Sequence, residues 1–179
     1  IIGFTKVVIK GMDGPINDMQ KTDLTTAFNS SQRMLMLINN LVEMAHLNNG
    51  DVPLLRKQNN IADLIKEVTE QWSVKNPELP LTTNVLIAAP DFDVDDIRLR
   101  QVVSNLLTYA AVRVTEGAMS LSVKDDDRGV NINIQSAGKK ARDKSEMDSA
   151  MLGFICSALI KLHGGQMDEP QETEDGLLL

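Results

Sequence analysis

Aromatic side chains are scarce in this chain: one Trp, one Tyr and four Phe among 179 residues. Its interior must therefore be aliphatic, with nine methionines as adaptable filler. The single cysteine, Cys156, sits in the apolar run FICSALI. A lone cysteine excludes an internal disulfide, and the chain is expected to be intracellular. No apolar run reaches the roughly 18 residues that a membrane-spanning helix needs. Basic residues are outnumbered, 18 Lys and Arg against 25 Asp and Glu, for a formal net charge of −7. With no basic stripe in the sequence, a nucleic-acid partner is not expected. The two histidines, His46 and His163, stand far apart. They offer no zinc spacing, and each has a structural reading as a helix-terminus residue. The opening IIGFTKVVIKG carries neither an initiator methionine nor a signal-cleavage pattern. A cytoplasmic piece of a longer protein is expected, making no membrane contact itself, whatever anchors the parent.

What is present is 42% hydrophobic residues, enough for a real core, in two textures. Residues 1–50 are long-period helical. Ile1 to Met12 reads as the end of a helix, stopped by the breaker cluster Gly11-Met12-Asp13-Gly14-Pro15. A second helix starts at Asn17 or Asp18, both plausible caps, and stops at Asn48-Asn49-Gly50. Inside it Leu24, Phe28, Ser31, Leu35, Ile38, Val42 and Ala45 form a heptad seam, with Ser31 its only polar member. A second apolar line, Met34, Leu37, Leu41 and Met44, runs beside it. One hairpin cannot bury both lines. Two hairpins packed as a four-helix bundle can, which predicts a homodimer with Leu24, Phe28, Leu35, Ile38, Val42 and Ala45 at the interface. The alternative is that the second line packs on the domain that follows.

Residues 51–60 read as a linker, and 61–179 as a domain alternating helices and short strands. An amphipathic helix capped by Asn60 carries Ile61, Leu64, Ile65 and Val68 and ends before Pro77, with Trp72 anchoring it to a sheet. Pro80 to Ala88 reads as a strand and Asp91 to Val94 as a short extended piece. Asp95 opens a helix running to about Val114. Met119–Lys124 and Val130–Gln135 form a hairpin turning at Asp125-Asp126-Asp127-Arg128-Gly129. That acidic triplet reads as a solvated tip rather than a metal site. A further helix spans about Ala150 to Leu162, with Cys156 on its core face, and the acidic tail adds a last strand at Leu177–Leu179. The fold class is α+β: a helical hairpin followed by a two-layer α/β sandwich.

In this order the segments resemble the dimerisation and catalytic core of a sensor histidine kinase. IIGFTKVVIKGMDGPINDMQ and SSQRMLMLINNLVEMAHLNNGDV resemble its two dimerisation helices, and IADLIKEVTEQW the first helix of its ATP-binding domain. IRLRQVVSNLLTYAAVRVTEG resembles the N box, VNINIQSAG the strand and loop of the first glycine box, and GFICSALIKLHGG the helix after the second. Each box departs from the family pattern. The N box, usually N-L-L-x-N-A-x-K, keeps Asn105 and places Arg113 at or beside the basic position. Where the family holds magnesium with a second Asn, this chain has Tyr109, and a neutral phenol is a poor ligand for a hard cation. The first glycine box, usually D-x-G-x-G, reads Ser136-Ala137-Gly138-Lys139-Lys140. Ser136 replaces the carboxylate that accepts from adenine, a loss of about 1–3 kcal/mol. The lid shrinks to Lys139–Ser149 with no Phe. The second glycine box aligns with Asp148 to Gly153, where Ala150, Met151 and Leu152 block the backbone approach to phosphate.

The resemblance therefore marks Asn105, Tyr109, Arg113, Ser136, Gly138, Met151 and Gly153 as positions of a vestigial nucleotide pocket, closed by Tyr109, Met151 and neighbouring aliphatics. No catalytic residue, metal or cofactor is expected. Phosphoryl transfer rests almost wholly on positioning and electrostatics, so the implied function is a non-catalytic, histidine-kinase-like signalling module that dimerises. Its implied partner is a response-regulator receiver domain, docking along residues 12–41, or another histidine kinase. Two alternatives stay open: an active sensor kinase with divergent boxes, which would use ATP and magnesium, and a histidine phosphotransferase whose His lies before Ile1.

Overall fold

The computed structural model describes every residue except 89–90, 128, 141–145 and 174–175, and leaves out the side chains of 115, 140, 146–148, 173 and 176. The chain divides into two compact units, residues 1–45 and 46–179; the sequence puts the first boundary at 50.

The first unit is helical. Helix α1 (Ile2–Ile9) ends at Gly11, whose φ of +69° supplies the left-handed turn. Helix α2 (Asp18–Asn49) starts on a reciprocal cap. The Gln20 amide donates to Asn17 Oδ1 at 2.8 Å, and the Asn17 amide donates to Gln20 Oε1 at 3.0 Å. It ends as expected at Gly50, φ +73°, where the Asp51 amide closes on the His46 carbonyl at 3.1 Å. Neither helix contains a buried residue. Along the predicted seam Leu35, Ile38 and Val42 are about half exposed, and beside them Met34 and Leu41 are more so.

The second unit is a helix layer over a sheet. Strand β1 (Lys57–Asn60) lies inside the stretch expected as linker and pairs antiparallel with β3 (Asp91–Val94). Its polar KQNN gives no alternating signal, because the partner strand rather than a buried face defines it. The pair places two helix starts side by side. Asn60 caps α3 (Ile61–Lys75) by accepting from the Asp63 amide, and Asp95 caps α4 (Asp96–Ala111) by accepting from the Arg98 amide. The sequence runs α4 to about Val114. It stops at Ala111, since β-branched Val112, Val114 and Thr115 favour extended chain.

The main sheet has the order β2-β4-β5-β7-β6, built from β2 (Leu81–Leu86), β4 (Val114–Asp126), β5 (Gly129–Lys140), β6 (Gln171–Thr173) and β7 (Gly176–Leu178). β2 runs parallel to β4, and the remaining pairs are antiparallel. The β4–β5 hairpin is longer than the sequence suggests. It continues through Ser136–Lys140, expected to enter a loop, because those residues pair with Val114–Met119. At the tip, Asp126 accepts from the Gly129 amide and the Asn131 side chain. Asp125 accepts from the Ala88 amide at 2.8 Å, so of the triplet Asp126 bonds within the turn and Asp125 bonds outside it.

Period-2 alternation sends Met119, Leu121, Val123, Ile134, Ser136 and Leu177 to the helix side, all buried. Helices α3, α4 and α5 (Glu146–Leu162) supply Ile65, Val103, Leu107, Ile155 and Leu159. Trp72 and Tyr109 are the buried aromatics among the described residues of this otherwise aliphatic core. Each such aliphatic side chain contributes about 1.5–3 kcal/mol by leaving water. No described helix is long and apolar enough to cross a membrane.

Candidate functional site

Helices α4 and α5 run antiparallel and meet along one stripe. On α4 the stripe is Asn105 and Tyr109, four residues apart and so stacked on one face, and Arg113 extends it from the turn just past the helix. On α5 it is Cys156, Gly153 and Ser149. The Cys156 thiol donates to the Val102 carbonyl at 3.8 Å. Burial pushes this thiol up to about 12, and the neighbouring Asn105 side chain acts in the lowering direction. Tyr109 is 8% exposed and its ring lies over Gly153, where an added Cβ would sit 3.8 Å from Cε2. The Arg113 guanidinium stacks on that ring, 3.8 Å from its centroid. It also donates to the Tyr109 hydroxyl at 2.8 Å, the Tyr109 carbonyl at 3.1 Å and Ser149 Oγ at 3.4 Å. The stripe is a latch: phenol, guanidinium and hydroxyl answer one another across two helices.

Met151, 6% exposed, and Leu152, 6% exposed, continue the apolar cover along α5. Ser136 faces the same layer from β5, 3% exposed, with no hydrogen-bond partner for its hydroxyl among the described residues. Gly138 has a structural reason to be glycine. It stands opposite Gly117, at φ +155°, and a Cβ on it would come 2.0 Å from the Glu116 carbonyl oxygen. The two glycines let β4 and β5 approach where side chains would collide. Within the stretch expected as a shortened lid, residues 141–145 and the side chains of 140 and 146–148 lie outside the described residues.

The donor set does not fit a magnesium triphosphate. The position nearest the helix seam offers a stacked phenol, and the guanidinium beside it is already engaged. Ser136, a buried hydroxyl without a partner among the described residues, has spare capacity, but one hydroxyl neither holds a divalent ion nor cradles phosphates.

At the other end of the two helices lies a cluster the sequence does not advertise. Asp95, 5% exposed, accepts from the Leu55 amide at 2.8 Å while capping α4. Its burial raises the carboxyl, but bonds from the Leu55 and Arg98 amides, with the charge of Arg98, outweigh it and hold the group below its ordinary value. The Asp95 amide donates to His163 Nε2 at 3.2 Å, and His163 Nδ1 bonds the Leu159 carbonyl at 2.8 Å. Arg56 donates to the Leu162 carbonyl at 2.6 Å. Residues 55–56 are thus pinned to both helix ends. Asp95 is legible as a cap and His163 as a helix stop; their meeting requires the antiparallel packing of α4 on α5.

No family model matches the chain. It is 24% identical, over 93% of its length, to the circadian input-output histidine kinase CikA of Synechococcus elongatus, and covers 25% of that protein. It thus spans about a quarter of the length of the curated relatives it matches. Among solved structures, the Acinetobacter baumannii histidine kinase AdeS superposes with a TM-score of 0.70 at 14% identity, over 99% of this chain and 89% of that one. The histidine kinase ThkA, in complex with the response regulator protein TrrA, superposes with a TM-score of 0.67 at 17% identity, over 99% of this chain and 56% of that one. The chain has the fold of the sensor histidine kinase core, a helical hairpin followed by the ATP-binding type of α/β sandwich.

Proposed function

We propose that this chain is a non-catalytic, histidine-kinase-like signalling module that self-associates through its hairpin and docks a response-regulator receiver domain. The observation that carries the reading is the latch. Tyr109 and Arg113, which the resemblance places at the magnesium and basic positions, bond each other, and Arg113 bonds Ser149. A ligand would first have to break those bonds and displace a ring that is 8% exposed. The hairpin supports the second half of the reading. A helix of 32 residues with no buried side chain and two apolar lines needs a partner, and a second copy supplies matching lines at Leu24, Phe28, Leu35, Ile38, Val42 and Ala45. That ThkA was solved with a response regulator supports a receiver domain as the docked protein.

Calorimetry with ATP and magnesium on the whole chain tests the first half: no binding up to millimolar nucleotide is expected, and micromolar binding overturns it. Light scattering tests the second. A mass of twice 19.7 kDa is expected, falling to the monomer in Ile38→Glu; a monomeric wild type refutes the hairpin dimer.

A further inference from the structure

A cleft of about 840 Å3 opens between α3 and the helix-side face of β2, well away from the latch in sequence and in its lining residues. Its floor is Leu81, Thr83, Val85 and Ile87, every second residue of the strand and its extension, and Val74 overhangs it from α3. β2 is also the edge of its sheet, hydrogen-bonded to β4 alone. The Met119 amide donates to the Pro80 carbonyl at 2.8 Å, with Leu81 level with Met119 in the register. In a parallel pair the bonds to one neighbour come from alternate residues. Pro80, Thr82, Asn84 and Leu86 therefore serve β4, and Leu81, Thr83 and Val85 turn their amides and carbonyls to the open edge. The same three residues that floor the cleft present the free backbone groups beside it.

No bulge interrupts the pairing of β2 with β4 from Leu81 to Leu86. No charged residue occurs between Glu78 and Asp91, whereas edge strands are ordinarily guarded by charges or bulges. The rim above the cleft is charged and mostly negative. Asp63 and Glu70 flank Lys66 on the exposed face of α3, and neither carboxylate is in an ion pair among the described residues.

We propose that the β2 edge and its cleft receive an extended peptide segment of a partner protein, β-branched or aliphatic at alternate positions and flanked by basic residues. The segment adds as a further strand, bonding Leu81, Thr83 and Val85 through its backbone and setting alternate side chains into the cleft. Its basic flank answers Asp63 and Glu70. The rim also argues against a second copy as occupant, because edge-to-edge pairing of two β2 strands would bring two negative rims together. The proposal is independent of the loss of nucleotide binding and of the hairpin dimer.

The test titrates the synthetic peptide Lys-Val-Thr-Val-Thr-Val-Lys into the isotopically labelled whole chain and follows backbone amides by NMR. Saturable shifts confined to Leu81, Thr83, Val85 and the facing turns of α3 are expected, with slowed amide exchange at those three residues. A peptide N-methylated at alternate amides should bind about tenfold more weakly or worse. Thr83→Pro removes an edge-facing N–H at a position where proline fits, and should weaken binding similarly. Glu70→Lys, at an exposed site, should weaken the lysine-flanked peptide and favour a glutamate-flanked one; it carries the test if Thr83→Pro does not fold. Equal binding of the N-methylated peptide, shifts elsewhere, or no binding at millimolar peptide would overturn the proposal. So would protection of the same amides that grows with protein concentration without peptide, since that marks self-pairing.

Discussion

Replacing Tyr109 by Asn restores the residue type that the family resemblance places at this position, and it separates a latch from a merely divergent nucleotide site. The ring is 8% exposed, roofed by Arg113 at 3.8 Å and in reach of Gly153. Removing a buried aromatic from a core costs about 3–5 kcal/mol, and losing the stacked guanidinium adds about 0.5–1 kcal/mol at a half-exposed site. The introduced amide would recover part of this by bonding Arg113, which leaves a net loss of about 4 kcal/mol. For a unit of this size that is a fall in Tm of roughly 10–20 °C. Tyr109→Phe keeps the ring and loses only the hydroxyl bond, about 1 kcal/mol. Arg113→Ala should fall between the two, and the cycle combining it with Tyr109→Phe should show the pair to be coupled rather than additive. Urea unfolding gives the energies, and calorimetry on the same samples gives nucleotide affinity. The reasoning fails if Tyr109→Asn loses less than about 1 kcal/mol and gains micromolar affinity for ATP with magnesium. That outcome would mean the phenol blocks a site whose other parts still work.

Gly138→Ala should destabilise by about 2 kcal/mol or more, because its Cβ would lie 2.0 Å from the Glu116 oxygen at a φ of +155°. Gly153→Ala should be neutral or stabilising by about 0.5–1 kcal/mol, since the new methyl meets Tyr109 at ordinary contact distance in a helix interior; thermal melts of the two separate packing glycines from phosphate-binding ones. Asp95→Asn should lose stability at neutral pH by an amount that shrinks in acid. Its carboxyl is held low in the folded chain, so its contribution is full above the unfolded value near about 3.9 and disappears as pH falls through the folded value. Urea curves at pH 3 to 7 check this, and a constant difference across that range refutes it. Cys156, buried with its thiol pushed up to about 12, should resist a disulfide reagent at pH 8 until the chain opens, and its labelling rate in low urea should follow unfolding.

The hairpin was readable because its signals are local. Caps, breaker glycines and a heptad period all lie within one helix length, and α2 starts and stops where Asn17 and Gly50 dictate. The helices of the second unit were readable for the same reason, through Asn60, Asp95 and the glycines after His163. Strand limits were less legible. β1 has no alternating face, and β5 continues past Gln135 only because Gly117 stands opposite Gly138, a pairing that no local pattern encodes. For the candidate site, the family resemblance supplied the positions while the sequence withheld the partners. Nothing in the spacing of Arg113 and Ser149, or of Asp95 and His163, places them together; that follows from two helices packing antiparallel.

On the proposed reading, the latch takes the place of a ligand at this seam. A seam carrying a phenol at 109 and a guanidinium at 113 must be satisfied by something, since polar groups left alone in a half-buried seam cost about 1–3 kcal/mol each. In a nucleotide-binding member of this fold a ligand can serve as that partner. In this chain the partners are side chains of the fold itself: Arg113 for Tyr109, and Ser149 for Arg113. Tertiary contacts made this way are present at every concentration of nucleotide, so the stability of the second unit should not change when ATP and magnesium are added. A ligand that binds only the folded state raises stability by about 2.7 kcal/mol at a hundred times its Kd. A melt of the whole chain at millimolar ATP and magnesium is thus a sensitive reading of the latch: an unmoved Tm is expected. A rise of several degrees would show that the seam opens to admit nucleotide and that its bonds close a gate rather than replace a ligand.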